Sequence, residues 1–410
     1  MNLFNLSNTK YKLSFIFLFF NLFFLVAEDV DYYQDKKINE FISKMSLEDK
    51  AAQVLFVGID GKKEFPAYMY KYYNGLLPGA VILFKYNIAD TAIETAHYIE
   101  SVKKAFKKIR TDKIYIPALF STDCEGGSVY RLHYFGSKLP SPAMVATKFS
   151  FDEAKTLYSL TAEQINLLGI HLNLAPVVEI ETNEIKNFFD ERLFSNSLDA
   201  VNFYSNAFII GMKEYNVFSV LKHFPGTGSS DPHFTVSVID TEENNFENHY
   251  ILPFKKLLEK NDCAVLISHS KVPFIDDMPF CFSKKGIQNI LRNKLNFKGL
   301  VITDDISMGA LKTDGSSTED NAILALSAGC DMIMCSENCF SQLVQAISKK
   351  AFLDIQFKKR LDEAVFTIMK TKIKMKLLDK DFNSCEKYIF NLKKFNDAKK
   401  KANTIVNSKL

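Results

Sequence analysis

The chain contains no Cys-x-x-Cys pair, and its seven cysteines, Cys124, Cys263, Cys281, Cys330, Cys335, Cys339 and Cys385, are odd in number and scattered. That excludes a disulfide framework as the organising principle. Most lie in apolar runs, where a thiol serves as a small core residue. An excess of one charge is also missing: the net charge is +3 over 410 residues. The lysine surplus is confined to residues 381–410, with seven Lys against Asp381, Glu386 and Asp397. Such an end reads as a solvated tail or helix face, and gives no basis for nucleic-acid binding. No low-complexity linker and no internal repeat divides the chain. A composition of 47% hydrophobic and 24% charged residues excludes disorder and supplies a sizeable core.

What is present begins with an apolar stretch at residues 13–27, interrupted by Ser14 and Asn21, preceded by Lys10 and Lys12 and followed by Glu28-Asp29. A basic segment, an apolar segment and the small Ala27 read as an export signal. The stretch is short for a spanning helix. The chain is therefore expected to be exported to a periplasmic or other extracytoplasmic space; left uncleaved, the segment would tether it to a membrane. The expected division is 1–27 as signal or anchor, 28–378 as one catalytic domain and 379–410 as a lysine-rich tail. A monomer is expected.

Beyond residue 50, apolar β-rich runs alternate with helical patterns. The runs cover 53–59, 80–84, 116–122, 171–178, 218–224, 264–268, 300–303 and 331–335. Helix-like segments at 90–110, 151–168, 198–215, 252–259, 284–295 and 319–328 separate them. Near-continuous apolar strands separated by helices indicate a parallel sheet covered on its outer face. Eight such units predict an α/β fold of the (β/α)8 TIM-barrel class, with a doubly wound open sheet as the alternative.

A barrel of this kind collects its chemistry at the C-terminal ends of the strands. Polar residues stand there: Asp90 past strand two, Asp123 after strand three, Lys222-His223 at strand five, His269 at strand six and Asp304 at strand seven. Buried strands seldom end in Lys-His or Asp-Asp for packing reasons, because an isolated buried charge costs several kcal/mol. For His171, which begins rather than ends its strand, a satisfied core or bottom-face histidine is the expectation.

Several ordered motifs now carry a resemblance. Lys222-His223-Phe224-Pro225-Gly226 is followed by Asp231-Pro232-His233, and further on by Val301-Ile302-Thr303-Asp304-Asp305. Met45-Ser46-Leu47-Glu48-Asp49-Lys50, Asp123-Cys124-Glu125-Gly126-Gly127 and Leu172-Asn173-Leu174-Ala175-Pro176-Val177 accompany them. Over residues 40–375 the set resembles glycoside hydrolase family 3, in its single-domain bacterial β-N-acetylglucosaminidase branch. The resemblance implies a retaining exo-glycosidase that removes terminal β-linked N-acetylglucosamine from peptidoglycan- or chitin-derived saccharides. It implies Asp304 as nucleophile and His233 as acid/base, tuned by Asp231. It also implies Asp90, Asp123, Arg131, Arg192, Lys222 and His223 as sugar-holding residues, and His269 stands beside them at the end of strand six. No cofactor and no metal are expected. A carboxylate can form a covalent glycosyl-enzyme, and an imidazole near its ordinary pKa can protonate a leaving oxygen and then activate water.

The chain departs from the family pattern in its loop. Thr227 stands where the pattern has a second His, and only Ser229-Ser230 separate Gly228 from Asp231. Ser128 replaces the Arg that commonly follows the E-G-G turn. Two alternatives stay open: a β-glucosidase-like exo-hydrolase and a catalytically degenerate sugar-binding protein. A metal-dependent barrel hydrolase would want His-x-His closing strand one and Asp closing strand eight. Those strands end in Gly58-Ile59-Asp60 and Met334-Cys335. A Gly226-Thr227-Gly228 phosphate loop lacks the residues that normally complete one.

Overall fold

The computed structural model describes residues 33–110, 114–228, 236–308, 311, 316–386 and 390–410. The expected signal segment and the Asp231/His233 pair lie outside the described residues. Residues 1–45 and 46–410 are separate units. Within the first, residues 33–43 are helical.

In the second unit eight parallel strands follow one another: β1 Leu55–Val57, β2 Ala80–Leu83, β3 Leu119–Thr122, β4 Leu172–Asn173, β5 Phe218–Phe224, β6 Ala264–Ile267, β7 Val301–Thr303 and β8 Ile333–Cys335. From β1 to β7 each pairs with the next, and β1 pairs with β8. Between β7 and β8 the ring closes through the Ile302–Met332 bridge and a hydrogen bond from Met334 N–H to Thr303 Oγ1, 3.0 Å. The fold is the expected α/β barrel, not the open sheet. Every residue of β1, β2, β3, β6, β7 and β8 is buried, which is why these strands read as continuous apolar runs rather than alternating ones.

Five of the six expected helices form within a residue or two of their predicted ends, whereas the one expected at 252–259 starts nine residues earlier, at Glu243; local chemistry explains several of the limits. Ser150 and Glu153 cap Phe151–Leu167 reciprocally, as Ser317 and Asp320 cap Thr318–Ala328. Gly329, at φ +126°, ends the latter helix. The fourth strand is much shorter than the predicted 171–178. Pro176 has no N–H for a ladder, and beyond Asn173 the contact with β5 is sparser: Val220 N–H donates to Ala175 C=O at 3.1 Å, and the Val177–Lys222 bridge follows.

The lysine-rich end carries a helix, Leu392–Asn407, which packs against Phe151–Leu167. Phe395, Ala398, Ala402 and Val406 recur at helical spacing and are buried, and Lys409 pairs with Glu153 at 2.8 Å. His171 sits at the N-terminal rim of the barrel, where its Nδ1 accepts the Phe120 N–H at 3.0 Å.

Candidate active site

A cavity of about 450 Å³ opens at the C-terminal ends of the strands. Asp123, Arg131, Arg192, Lys222, His223, His269 and Asp304 all line it, brought together from several strand ends and loops.

Asp123 leaves the end of β3 and enters a hairpin, Cys124–Gly126 against Val129–Tyr130. The Asn173 side chain in β4 clamps this segment, accepting from Cys124 N–H at 2.9 Å and donating to Cys124 C=O at 3.0 Å. At the turn, Gly126 has φ +115° and an added Cβ would run into the Pro140 carbonyl oxygen. Only glycine accepts that backbone and that contact. The hairpin thereby holds Asp123, Glu125 and Arg131 on one wall.

These residues form an ion cradle with the end of β5. Lys222 Nζ lies 2.7 Å from Glu125 Oε1 and 3.0 Å from Asp123 Oδ1. Arg192 grips Glu125 with two bonds, 2.8 and 2.9 Å, and its guanidinium lies 5.1 Å from the Phe189 ring centre. Arg131 reaches Asp123 Oδ2 at 3.3 Å. Lys222 is 4% and Glu125 1% exposed. Burial alone would neutralise both, but their opposite charges prevail. Burial and then Lys222 and Arg192 act on Glu125, and the balance pulls its carboxyl down to about 2. Burial lowers Lys222, but Glu125 and Asp123 outweigh it and the amine is raised above its ordinary value. Glu125 and Lys222 are thus held ionised and paired, with charged groups facing the hollow. Such a surface can meet sugar hydroxyls with donors and acceptors of fixed direction.

Asp304 closes β7, its N–H bonded to Ile267 C=O at 3.0 Å and its Oδ1 accepting the Asp305 N–H at 2.8 Å. Burial raises its carboxyl, yet His269, His223, the Asp305 N–H and Lys222 together hold it below the usual value. Asp305 behaves oppositely: burial lifts it, the Ser307 N–H lowers it and the Asp304 charge lifts it again, for a net rise. Neighbouring carboxyls pushed apart in this way have different tasks. Asp304 is the one kept as an anion.

His269 Nε2 lies 2.9 Å from the Asp305 carbonyl oxygen and Nδ1 lies 3.3 Å from Cys281 Sγ. A carbonyl only accepts, so Nε2 carries a proton. His223 Nδ1 lies 2.8 Å from Glu179 Oε1, and its ring leans against Phe189 with centroids 5.6 Å apart.

Asp90 does not line the cavity. Its carboxylate is 79% exposed and pairs with Lys62 at 3.0 Å, one residue ahead of the Thr91 cap of helix Ala92–Ile109. Its expected place beside the sugar came from the resemblance and from its position past strand two; the intervening short helix Lys85–Asn87 carries it outward. Glu125 and Glu179, in turn, were not among the expected site residues. Both carried a signal: Glu125 belongs to the Asp123–Gly127 motif, and Glu179 directly follows the apolar run of strand four, as Asp304 follows that of strand seven. Among the described residues, no group of three or more His, Cys, Asp or Glu is arranged to hold a metal ion.

Comparison with known proteins places this geometry in a family. A beta-hexosaminidase of Hydrogenovibrio crunogenus is 31% identical over 266 residues, covering 63% of this chain and 71% of that one. The crystal structure of a beta-N-acetylhexosaminidase from Beutenbergia cavernae superposes with a TM-score of 0.70 at 27% identity, over 80% of this chain and 99% of that one. A fungal multi-domain GH3 beta-N-acetylglucosaminidase matches with a TM-score of 0.78 at 24% identity, over 88% of this chain but 42% of that one, and shows the fold alone. The family model described as the glycosyl hydrolase family 3 N-terminal domain matches residues 46–390, and with a carboxylate closing β7 above a cradle of paired ions, the chain belongs to glycosyl hydrolase family 3.

Proposed function

We propose that this glycoside hydrolase is a retaining, exo-acting β-N-acetylhexosaminidase that removes terminal β-linked N-acetylglucosamine. The observation that carries the reading is Asp304: a carboxylate at the end of β7, lining the cavity and held anionic by His269, His223, the Asp305 N–H and Lys222 after burial has opposed it. The bacterial relatives named beta-hexosaminidase support the choice of sugar.

In this reading an Asp304 oxygen attacks the anomeric carbon while the bond to the leaving oxygen breaks. His233 gives that oxygen its proton, and Asp231 sets the tautomer of the imidazole. His233 then takes a proton from water, the water oxygen attacks the same carbon, and the bond to Asp304 is released. Asp123, Arg131, Arg192, Lys222 and His223 hold the sugar hydroxyls, and His269 steadies the Asp304–Asp305 corner. The substrate is a saccharide derived from peptidoglycan or chitin, met outside the cytoplasm after export through residues 13–27.

Release of nitrophenol from its β-N-acetylglucosaminide tests the reading, with the β-glucoside in parallel. The expected result is turnover of the N-acetyl substrate that disappears in Asp304→Ala and falls by roughly 10²–10⁴-fold in His233→Ala. Equal or better turnover of the glucoside would transfer the assignment to a β-glucosidase. Binding of N-acetylglucosamine without turnover of either would make the chain a sugar-binding protein.

A further inference from the structure

We infer that Glu179 is a positioning residue of the reaction: one buried carboxylate that fixes the His223 ring beside Asp304 and also seats the stem of the loop carrying Asp231 and His233. The inference rests on the acid/base reading given above.

Glu179 follows the β4 segment and is 5% exposed. Its Oε1 takes the His223 ring at 2.8 Å and the Thr227 hydroxyl at 3.2 Å, and its Oε2 takes the Thr227 N–H at 2.7 Å. A carboxylate only accepts. His223 Nδ1 and the Thr227 hydroxyl must therefore both donate to it. That leaves His223 Nε2 as the nitrogen free to meet a ligand, and fixes the rotamer of Thr227, which also lines the cavity.

The loop stem is pinned on either side of Thr227. Ser270 Oγ donates to Gly226 C=O at 2.9 Å, and Gly228 N–H donates to Ser237 Oγ at 2.7 Å. Gly228 and Ser237 flank the short loop, so this bond draws its two ends together. A loop of few residues can present His233 reproducibly only if its ends are fixed. Glu179 holds one of those ends with two bonds and holds His223 with the same carboxylate. A Gln here would turn an amide N–H₂ toward either Thr227 N–H or His223 Nδ1–H. An Asp would withdraw the carboxylate by one methylene. Neither can satisfy all the donors.

The test uses the full chain and measures kcat/KM on two N-acetylglucosaminides. One releases dinitrophenol, which leaves without help from an acid. The other releases a weakly acidic phenol, which needs the proton. Glu179→Gln is expected to lose roughly 10²-fold on the poor leaving group and about tenfold or less on the good one. Thr227→Val, which removes one of the four bonds to the Glu179 carboxylate, is expected to show the same gradient at about threefold to tenfold. This milder variant keeps the test valid where Glu179→Gln fails to fold, as judged by circular dichroism. His233→Ala provides the reference gradient. A flat loss in folded Glu179→Gln and Thr227→Val, alongside a graded loss in His233→Ala, overturns the positioning inference and leaves the acid/base reading intact. A flat loss in His233→Ala overturns both.

Discussion

Lys222 and Lys372 are both buried lysines, 4% and 0% exposed, at opposite ends of one barrel. Lys222 touches two carboxylates, 2.7 and 3.0 Å away, and its amine is raised above its ordinary value against the pull of burial. Lys372 donates to the neutral Oε1 of Gln53 at 2.8 Å, beneath the start of β1. There burial prevails over the distant Glu386, and the amine falls to about 7. Lys103 lies between them: with Glu386 at 3.6 Å it is lowered by burial, and the carboxylate offsets only part of that. The residue type is the same in all three. What differs is whether an opposite charge sits within contact distance, and that decides whether a buried lysine is a permanent cation or a near-neutral amine. The active end of the barrel is built from charges that must persist, and the other end tolerates one that can be discharged.

The comparison can be broken first at its catalytic end. Asp304→Ala is expected to lower kcat by roughly 10⁴-fold or more, the scale of losing a nucleophile. Its melting temperature should stay close to that of the parent chain, because the cradle ions pair with one another rather than with Asp304. A large drop in melting temperature would show that Asp304 belongs to the structural ion set.

Next in size is Glu125→Gln, which strips Lys222 and Arg192 of a shared buried partner. A destabilisation on the order of 3–5 kcal/mol is expected from denaturant unfolding. Glu125 has a folded value of about 2 against an ordinary 4.5. The unfolded chain therefore binds its proton first as pH falls. Its contribution to stability is complete above about pH 4.5 and is lost toward pH 2. That part of the acid limb should be missing in the variant.

At the opposite end the sign reverses. Lys372→Met should stabilise the protein by about 1–4 kcal/mol at neutral pH, since it removes a buried amine that has no ion pair among the described residues. Between about 7 and 10.5 the unfolded chain holds the Lys372 proton and the folded chain has released it. Stability of the parent should accordingly rise with pH across this window, and this rise should be absent in the variant. Unchanged unfolding curves would mean that Lys372 stays charged.

Asp90→Ala should do least. Its ion pair with Lys62 is exposed, so stability should change by less than about 1 kcal/mol and kcat/KM by less than about twofold. A tenfold rise in KM would return Asp90 to the sugar site.

The sequence carried the architecture because each strand is an apolar run covered on both faces, a one-dimensional property that needs no knowledge of neighbours. Helix limits were readable for the same reason: Ser150 with Glu153, and Ser317 with Asp320, are caps written three residues apart. Lys222, His223 and Asp304 stood out because they close apolar strands. Asp90 misled because closeness along the chain to β2 does not determine direction, and a short helix turns it to solvent. Glu125 and Glu179 were visible as residue types but not as partners.

Sequence alone thus determined the eight-strand alternation, the strand ends where charges collect and the identity of Asp304 as the carboxylate closing β7. Tertiary structure decided which of those charges meet. Glu125 and Lys222 are separated by nearly a hundred residues, as are Gln53 and Lys372 by 319. A charge buried in a barrel takes its protonation state from whatever group the ring closure places within about 3 Å of it.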